Sequence, residues 1–329
     1  MNTHKSAGEN ITVVDATLRD GGIVNNFYFP QGFARALYEA DKAAGVDVME
    51  FGYKVSKKLF NVSEFGEWKF CEEDSLRAVV GDKPEKSPKI AVMSDVGRVD
   101  LHTEVLPKEQ SVIDMYRIAT YVRQTEEAAE MINFCHDMGY ATSCNIMAIS
   151  RENEGDLKKC VETICKTPVD VLYIVDSFGS LYEDDIKHVC ELYGEAAYKY
   201  GKQLGIHAHN NQQLALANTI AAMNAGATWL DATVSGMGRG AGNAFLEGLL
   251  GYLRSPSYNI NPLLAFIREH INPLKASGVE WGYDVPYLLT GLNGIHPYAA
   301  IDFERDRRTD YENFLAEITA EGYVAPSHR

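Results

Sequence analysis

"ITVVDATLRDGG", Ile11 to Gly22, is an apolar run that ends on an arginine and an aspartate side by side, with two glycines behind them. A short Val- and Ile-rich run bounded by turn residues reads as a buried strand. The same form returns in "VDVMEFG", "KIAVMSD", "VIDMYRIAT", "YATSCNIMAIS", "VDVLYIVDSFG", "KQLGIHAHN" and "ATWLDATVSG". Helix-like amphipathic stretches lie between them, at Phe33 to Gly45, Gln124 to Gly139, Glu154 to Lys166, Glu183 to Tyr200, Gln212 to Gly226 and Gly242 to Leu253. Eight strand candidates, most followed by a helix, fill Ile11 to about Leu253. That is close to the roughly 250 residues typical of a (β/α)8 barrel.

The ends of the runs favour the barrel over a doubly wound open sheet. Each stops in unusual chemistry: Arg19 and Asp20, Glu50, Ser94 and Asp95, Arg117, Asp176, His207 and His209, Asp231. In a barrel the C-terminal ends of the strands converge on one mouth, so residues scattered in sequence become neighbours. The reading is an α/β chain with a TIM barrel over residues 1–254 and a C-terminal helical extension over 255–329. Polar "GDKPEKSPK" reads as a surface loop.

Composition narrows the partners. The chain has 329 residues, 46% of them hydrophobic, enough for a sizeable core, and a formal net charge of -15 that repels a polyanion. Lysines and arginines form no stripe, so nucleic acid is not an expected partner. No stretch approaches the roughly 20 apolar residues that span a bilayer, and "MNTHKSAGEN" lacks the apolar run of a signal peptide. No membrane association and a cytoplasmic location are expected. The six cysteines lack the paired spacing of a zinc site and read as reduced structural thiols.

"HAHN", His207 to Asn210, is the sharpest local signal. Residues two apart on a strand share a face, so both imidazoles project into the barrel. Such a pair suits a divalent metal completed by a carboxylate, for which Asp20 is the natural candidate. The competing reading is two core histidines satisfied by hydrogen bonds. Arg19 and Asp20, taken as strand neighbours, point to opposite sides and are not expected to pair. Arg19 instead offers fixed donors to a substrate carboxylate or a developing enolate oxygen. "GMGRGAGN", Gly236 to Asn243, reads either as a phosphate cradle opening a helix or, by preference, as close backbone packing that lets Asn243 reach toward the metal.

"TLRDG", "YRIAT", "VDSFGS", "HAHNN" and "GMGRGAGNAFLE", in this order, resemble the DRE-TIM metallolyase (HMGL-like) superfamily over about Ile11 to Leu253, nearest to the 4-hydroxy-2-oxovalerate aldolases. The resemblance implies that Asp20, His207 and His209 are ligands of a divalent metal, Mn2+ or Mg2+, and that Asn243 matches a further ligand position of the lyase branch. It also implies that Arg19 stabilises the enolate, with Glu50 beside it. Where the aldolases carry a histidine base, this chain has Ile23, which cannot move a proton. Tyr287, in "GYDVPYLLTG", is the expected replacement, and His296 is expected to matter less.

The expected activity is cleavage or formation of a C–C bond of a 2-oxo acid through a metal-bound enolate. An acyl-CoA-dependent condensing synthase and a catalytically silent metabolite-binding barrel are the alternatives. A small 2-oxo acid is the expected partner, with a homodimer implied by the superfamily. The pattern by which bacterial aldolases dock an acetaldehyde dehydrogenase is missing, so that partner is not expected.

Overall fold

The computed structural model of the chain describes residues 11–81 and 86–325. Residues 1–10, on which the reading of no signal peptide rests, and residues 82–85 of the polar loop lie outside them.

All eight apolar runs are parallel strands: β1 (Thr12–Asp15), β2 (Val48–Tyr53), β3 (Lys89–Asp95), β4 (Met115–Thr120), β5 (Ala141–Ile146), β6 (Val171–Asp176), β7 (Gln203–Ala208) and β8 (Trp229–Ala232). They follow one another in sequence order around a closed barrel. The β1–β8 pairing from Thr12↔Trp229 to Asp15↔Ala232 closes it. The TIM barrel expected from the sequence is therefore present.

The two-residue period of a strand sorts the barrel interior into layers. Val14, Val48, Ala91, Met115, Val171 and Tyr173 form an apolar cluster of their own inside the barrel. Two residues further along, two of these strands carry charge: Glu50 after Val48 and Arg117 after Met115, both fully buried. Gly205 leaves room for Tyr173, whose ring a Cβ at that position would meet. The strands therefore place an apolar plug below and a layer of buried charge above it.

Outside the strands, the helices pack one face against the sheet. In Gln31–Ala44 the buried residues include Phe33, Ala34, Leu37, Tyr38 and Asp41, the spacing of one helical stripe. All six cysteines are buried and unbridged, as the scattered spacing implied. Among the described residues no helix is long and apolar enough to cross a membrane.

After Leu253 the chain continues in short helices, as the sequence suggested. Leu263, Phe266 and Ile271 belong to the main core, with Phe266 edge-on to Phe33 at 5.1 Å. Further on, Ile295, Ala299, Ala300, Phe303, Phe314 and Ile318 make a separate small cluster. The extension is fastened to the barrel mouth by Trp281 Nε1 donating to the Ser235 carbonyl at 3.0 Å and Gly282 N–H donating to the Gly240 carbonyl at 2.9 Å.

Candidate metal centre and active site

Beyond β1 the chain does not run on as a strand. The Asp20 N–H donates to the Ala16 carbonyl at 2.8 Å, winding Thr17–Gly21 into a single helical turn. Thr17 helps to fix the turn by donating its hydroxyl to Asp15. The expectation that Arg19 and Asp20 do not pair is therefore corrected, because helical neighbours need not point to opposite sides. Arg19 Nη1 lies 2.6 Å from Asp20 Oδ2.

From this turn a closed ring of buried charge runs around the top of the barrel. Arg19 Nε reaches Glu50 Oε2 at 2.7 Å, and Arg117 Nη1 reaches the same oxygen at 3.0 Å. Arg117 Nη2 holds Asp231 Oδ2 at 2.6 Å, and that oxygen meets His207 Nδ1 at 3.0 Å. His207 Nε2 returns to Asp20 Oδ2 at 3.3 Å. Glu50 is thus brought to Arg19 but stays behind it, fully buried, and holds the guanidinium rather than facing the cavity. Arg117 and Asp231, visible in the sequence only as charges at strand ends, are the links that close the ring.

The protonation pattern gathers lone pairs and one exchangeable proton at a single point: burial and Arg19 lower His207, but its hydrogen bonds to Asp20 and Asp231 raise it above its ordinary value. Burial raises Asp20, but Arg19 and the hydrogen bond with His207 outweigh it and hold the carboxyl well below its usual range. Asp231 is also lowered, burial being overcome by Arg117 and His207, so it accepts from His207 Nδ1–H. His209 Nδ1 lies 3.0 Å from the Asp176 carbonyl, which can only accept. Burial pulls His209 down to about 3, so its ring is neutral with a lone pair on Nε2, 3.7 Å from Asp20 Oδ2. Ligand atoms of Asp20, His207 and His209 all lie within 4.8 Å of one another, and all three residues are buried.

This donor set fits a divalent cation. Two imidazoles and a carboxylate, each steadied by an outer partner, suit an ion that accepts nitrogen and oxygen. A second observation agrees: Asn243 Oδ1 is buried without a hydrogen-bond partner, while its Nδ2 donates to the Met237 carbonyl at 3.2 Å. Asn243 borders the triad from the far side, bridging His209 across an isolated β-contact, and does not line the inner cavity. The loop that carries it does not open a helix; the next one begins at Leu246. Close packing is what it provides, because a Cβ at Gly238 would collide with the Asn243 amide and lie 2.7 Å from Asp20 Oδ1.

The cavity over the triad measures about 90 Å³ and is faced by Arg19, Ile23, Tyr53, Asn145, Ser177 and Arg239 beside Asp20, His207 and His209. Tyr287 is not among its lining residues. The Tyr287 ring packs over Gly240, whose Cβ would lie 2.8 Å from it, and against the extension's own apolar cluster. Burial, with Glu304 and Asp284 nearby, pushes its phenol up to about 12. His296 does reach the mouth, lining the adjoining outer cavity with Tyr298 stacked on it at 4.3 Å. Tyr53, Asn145, Ser177 and Arg239 were not singled out in the sequence. Tyr53 and Asn145 do end or nearly end β2 and β5, the position that marked the other site residues.

Known proteins place this arrangement. The model of the HMGL-like family matches residues 10–262. A 4-hydroxy-2-oxovalerate aldolase from Thermus thermophilus is 31% identical over 75% of this chain and 70% of its own. Another from Pelotomaculum thermopropionicum is 30% identical over 76% and 72%. Among solved structures, an N-terminal domain from Bacteroides vulgatus superposes with a TM-score of 0.75 and 28% identity, covering 89% of this chain and 96% of that one. With three quarters of its length matched by the family and its metal-type triad at the barrel mouth, the chain belongs to the HMGL-like, DRE-TIM metallolyase family.

Proposed function

We propose that the chain is a carbon–carbon lyase of the aldolase type, cleaving or forming a C–C bond of a 2-oxo acid with Mn2+ or Mg2+ held by Asp20, His207 and His209. The observation that carries the reading is the convergence of three buried ligand atoms under the one Arg19 nitrogen that has no carboxylate partner. Asn243, whose Oδ1 is buried without a hydrogen-bond partner, would supply a further oxygen ligand. When bound, a divalent cation supplies Lewis-acid polarisation of a 2-oxo acid carbonyl.

The chain's own residues provide the rest. Arg19 is tied at Nε to Glu50 and at Nη1 to Asp20, so Nη2, which meets only the His207 ring at 3.5 Å, keeps its donors for an oxyanion. A preorganised donor placed where charge develops stabilises an enolate more than the neutral substrate. Tyr53 stays protonated, since burial and Asp95 raise its phenol, and it serves as a hydrogen-bond donor. Ile23 presents an apolar wall and leaves the hydroxyl proton to another group. His296 lines the outer cavity that adjoins the triad, and imidazole is the usual proton carrier near neutral pH.

Deuterium uptake by the methyl group of pyruvate in D2O tests the enolate step without needing the natural aldehyde. Uptake that depends on added Mn2+ or Mg2+ and falls at least a hundredfold in Asp20→Asn is the expected result. Equal exchange with and without metal would remove the enolate reading.

A further inference from the structure

The inner cavity adjoins a larger one of about 540 Å³, and the two share Ile23, Tyr53, Met147 and Arg239. The lining of the outer cavity carries four permanent or near-permanent cations, Lys69, Arg98, Arg123 and Arg239, against one carboxylate, Asp95. This concentration sits in a chain whose formal net charge is -15. Only Arg98 is spent on the carboxylate, Nε lying 3.6 Å from Asp95 Oδ2. Among the described residues, Lys69, Arg123 and Arg239 have no salt-bridge partner.

Lys69 is the least expected of them, with 9% of its surface exposed and no hydrogen bond to its ammonium. Its Nζ stands 4.4 Å from the Tyr53 ring centre, 4.7 Å from Phe60, 5.0 Å from Phe27 and 5.4 Å from Phe65. Aromatic faces offset part of the cost of burying a cation but accept none of its three N–H donors. Burial pulls the amine down to about 8, with Arg98 adding to that and Asp95 opposing it, so it is still charged at neutral pH. Arg239 tells the same story nearer the triad. Its main-chain N–H donates to Asp20 Oδ1 at 3.2 Å, while its buried Nε has no partner and its side chain borders both cavities.

A short neutral alkyl fragment would leave these donors and charges unmet in the outer cavity. We propose that the outer cavity is a subsite for a second anionic group, a carboxylate or a phosphate, carried on the fragment of the 2-oxo acid that departs as the aldehyde. The assignment of that fragment rests on the aldolase reading of the inner site; the anion subsite itself does not. On this account the substrate is a dianion at least, its 2-oxo carboxylate end at Asp20, His207 and His209 and its second charge at Lys69, Arg123 and Arg239.

Calorimetric titration of the Mn2+-loaded protein with inorganic phosphate and with malonate reads the subsite without turnover. Binding of either anion that weakens tenfold or more in Lys69→Met and in Arg123→Gln supports it. Binding of neither, or binding that both substitutions leave unchanged, overturns it. Arg123 is exposed, so its variant gives an answer even if Lys69→Met disturbs folding. In the condensation direction, pyruvate is offered with succinic semialdehyde, glyceraldehyde 3-phosphate or propanal. At least a tenfold higher kcat/KM for one charged aldehyde, reduced tenfold or more in Lys69→Met, is expected, and the two charged aldehydes separate carboxylate from phosphate. A preference for propanal contradicts the subsite. Deuterium uptake by pyruvate, measured alongside, tests the aldolase reading separately; if it is absent, the anion titrations alone decide the subsite.

Discussion

Arg19 meets Glu50 through Nε and Asp20 through Nη1, and only Nη2 is left toward the His207 ring and the cavity. Lysine has one nitrogen and cannot hold both carboxylates and still present a donor in a fixed plane. Arg19→Lys is therefore expected to bind metal as the wild type does and to lose about a hundredfold or more in kcat, on the scale of removing one oxyanion donor. Metal analysis beside steady-state rates checks this, and lost metal would make Arg19 a structural residue instead. For the missing base we propose His296 ahead of Tyr287, the opposite of the order expected from the sequence, on where the two side chains lie. Tyr287 packs over Gly240 and lines neither cavity, whereas His296 borders the outer cavity that adjoins the triad. His296→Ala should slow cleavage by roughly a hundredfold, the scale of a general acid or base, with Tyr287→Phe within a few-fold of wild type. The opposite ranking in kcat would return the role to Tyr287. That reversal was not legible in the sequence, because which side of a short helix faces the mouth depends on how residues 285–298 pack on the loop at Gly240.

The strands were legible because parallel strands covered on both faces read as continuous apolar runs, and β2, β4 and β6 are buried at every residue. The helical turn Thr17–Gly21 was not, since its hydrogen bonds to Ala16 and Leu18 carbonyls replace a pattern that still looks like the end of a strand. The loop after β8 was half legible. Its glycines announced tight backbone, but only the packing shows that Gly238 lies against both Asp20 and Asn243. A methyl group there must push the ligand carboxylate or the amide aside. Gly238→Ala is expected to weaken Mn2+ binding at least tenfold with an unchanged far-ultraviolet circular dichroism spectrum. Wild-type affinity would mean that the loop yields and does not help to set the ligands.

At the scale of the whole molecule, barrel closure is what brings the ring together. Arg117 and Asp231 are 114 residues apart and meet only because β4 and β8 send side chains into one interior. Such pairing cannot be read from either segment alone, although each charge at a strand end was visible. The ring holds three carboxylates, Asp20, Glu50 and Asp231, against two guanidiniums, Arg19 and Arg117, with His207 completing it. Burial and Arg19 lower His207, but its hydrogen bonds to Asp20 and Asp231 outweigh them and raise it above its ordinary value, so a proton on its ring balances the third carboxylate, next to the neutral imidazole of His209. Buried charge is tolerated only when compensated, and a divalent cation bound at the triad would take over that compensation as it displaces the His207 proton.

Titration of metal-free protein with Mn2+ by calorimetry, wild type beside His207→Ala, bears most directly on this account. We predict one site per chain in the wild type and at least a hundredfold weaker binding in His207→Ala, which removes one of three strong ligands while the fold is kept. Equal affinity in the two proteins, or no stoichiometric site in the wild type, would contradict a metal centre at Asp20, His207 and His209.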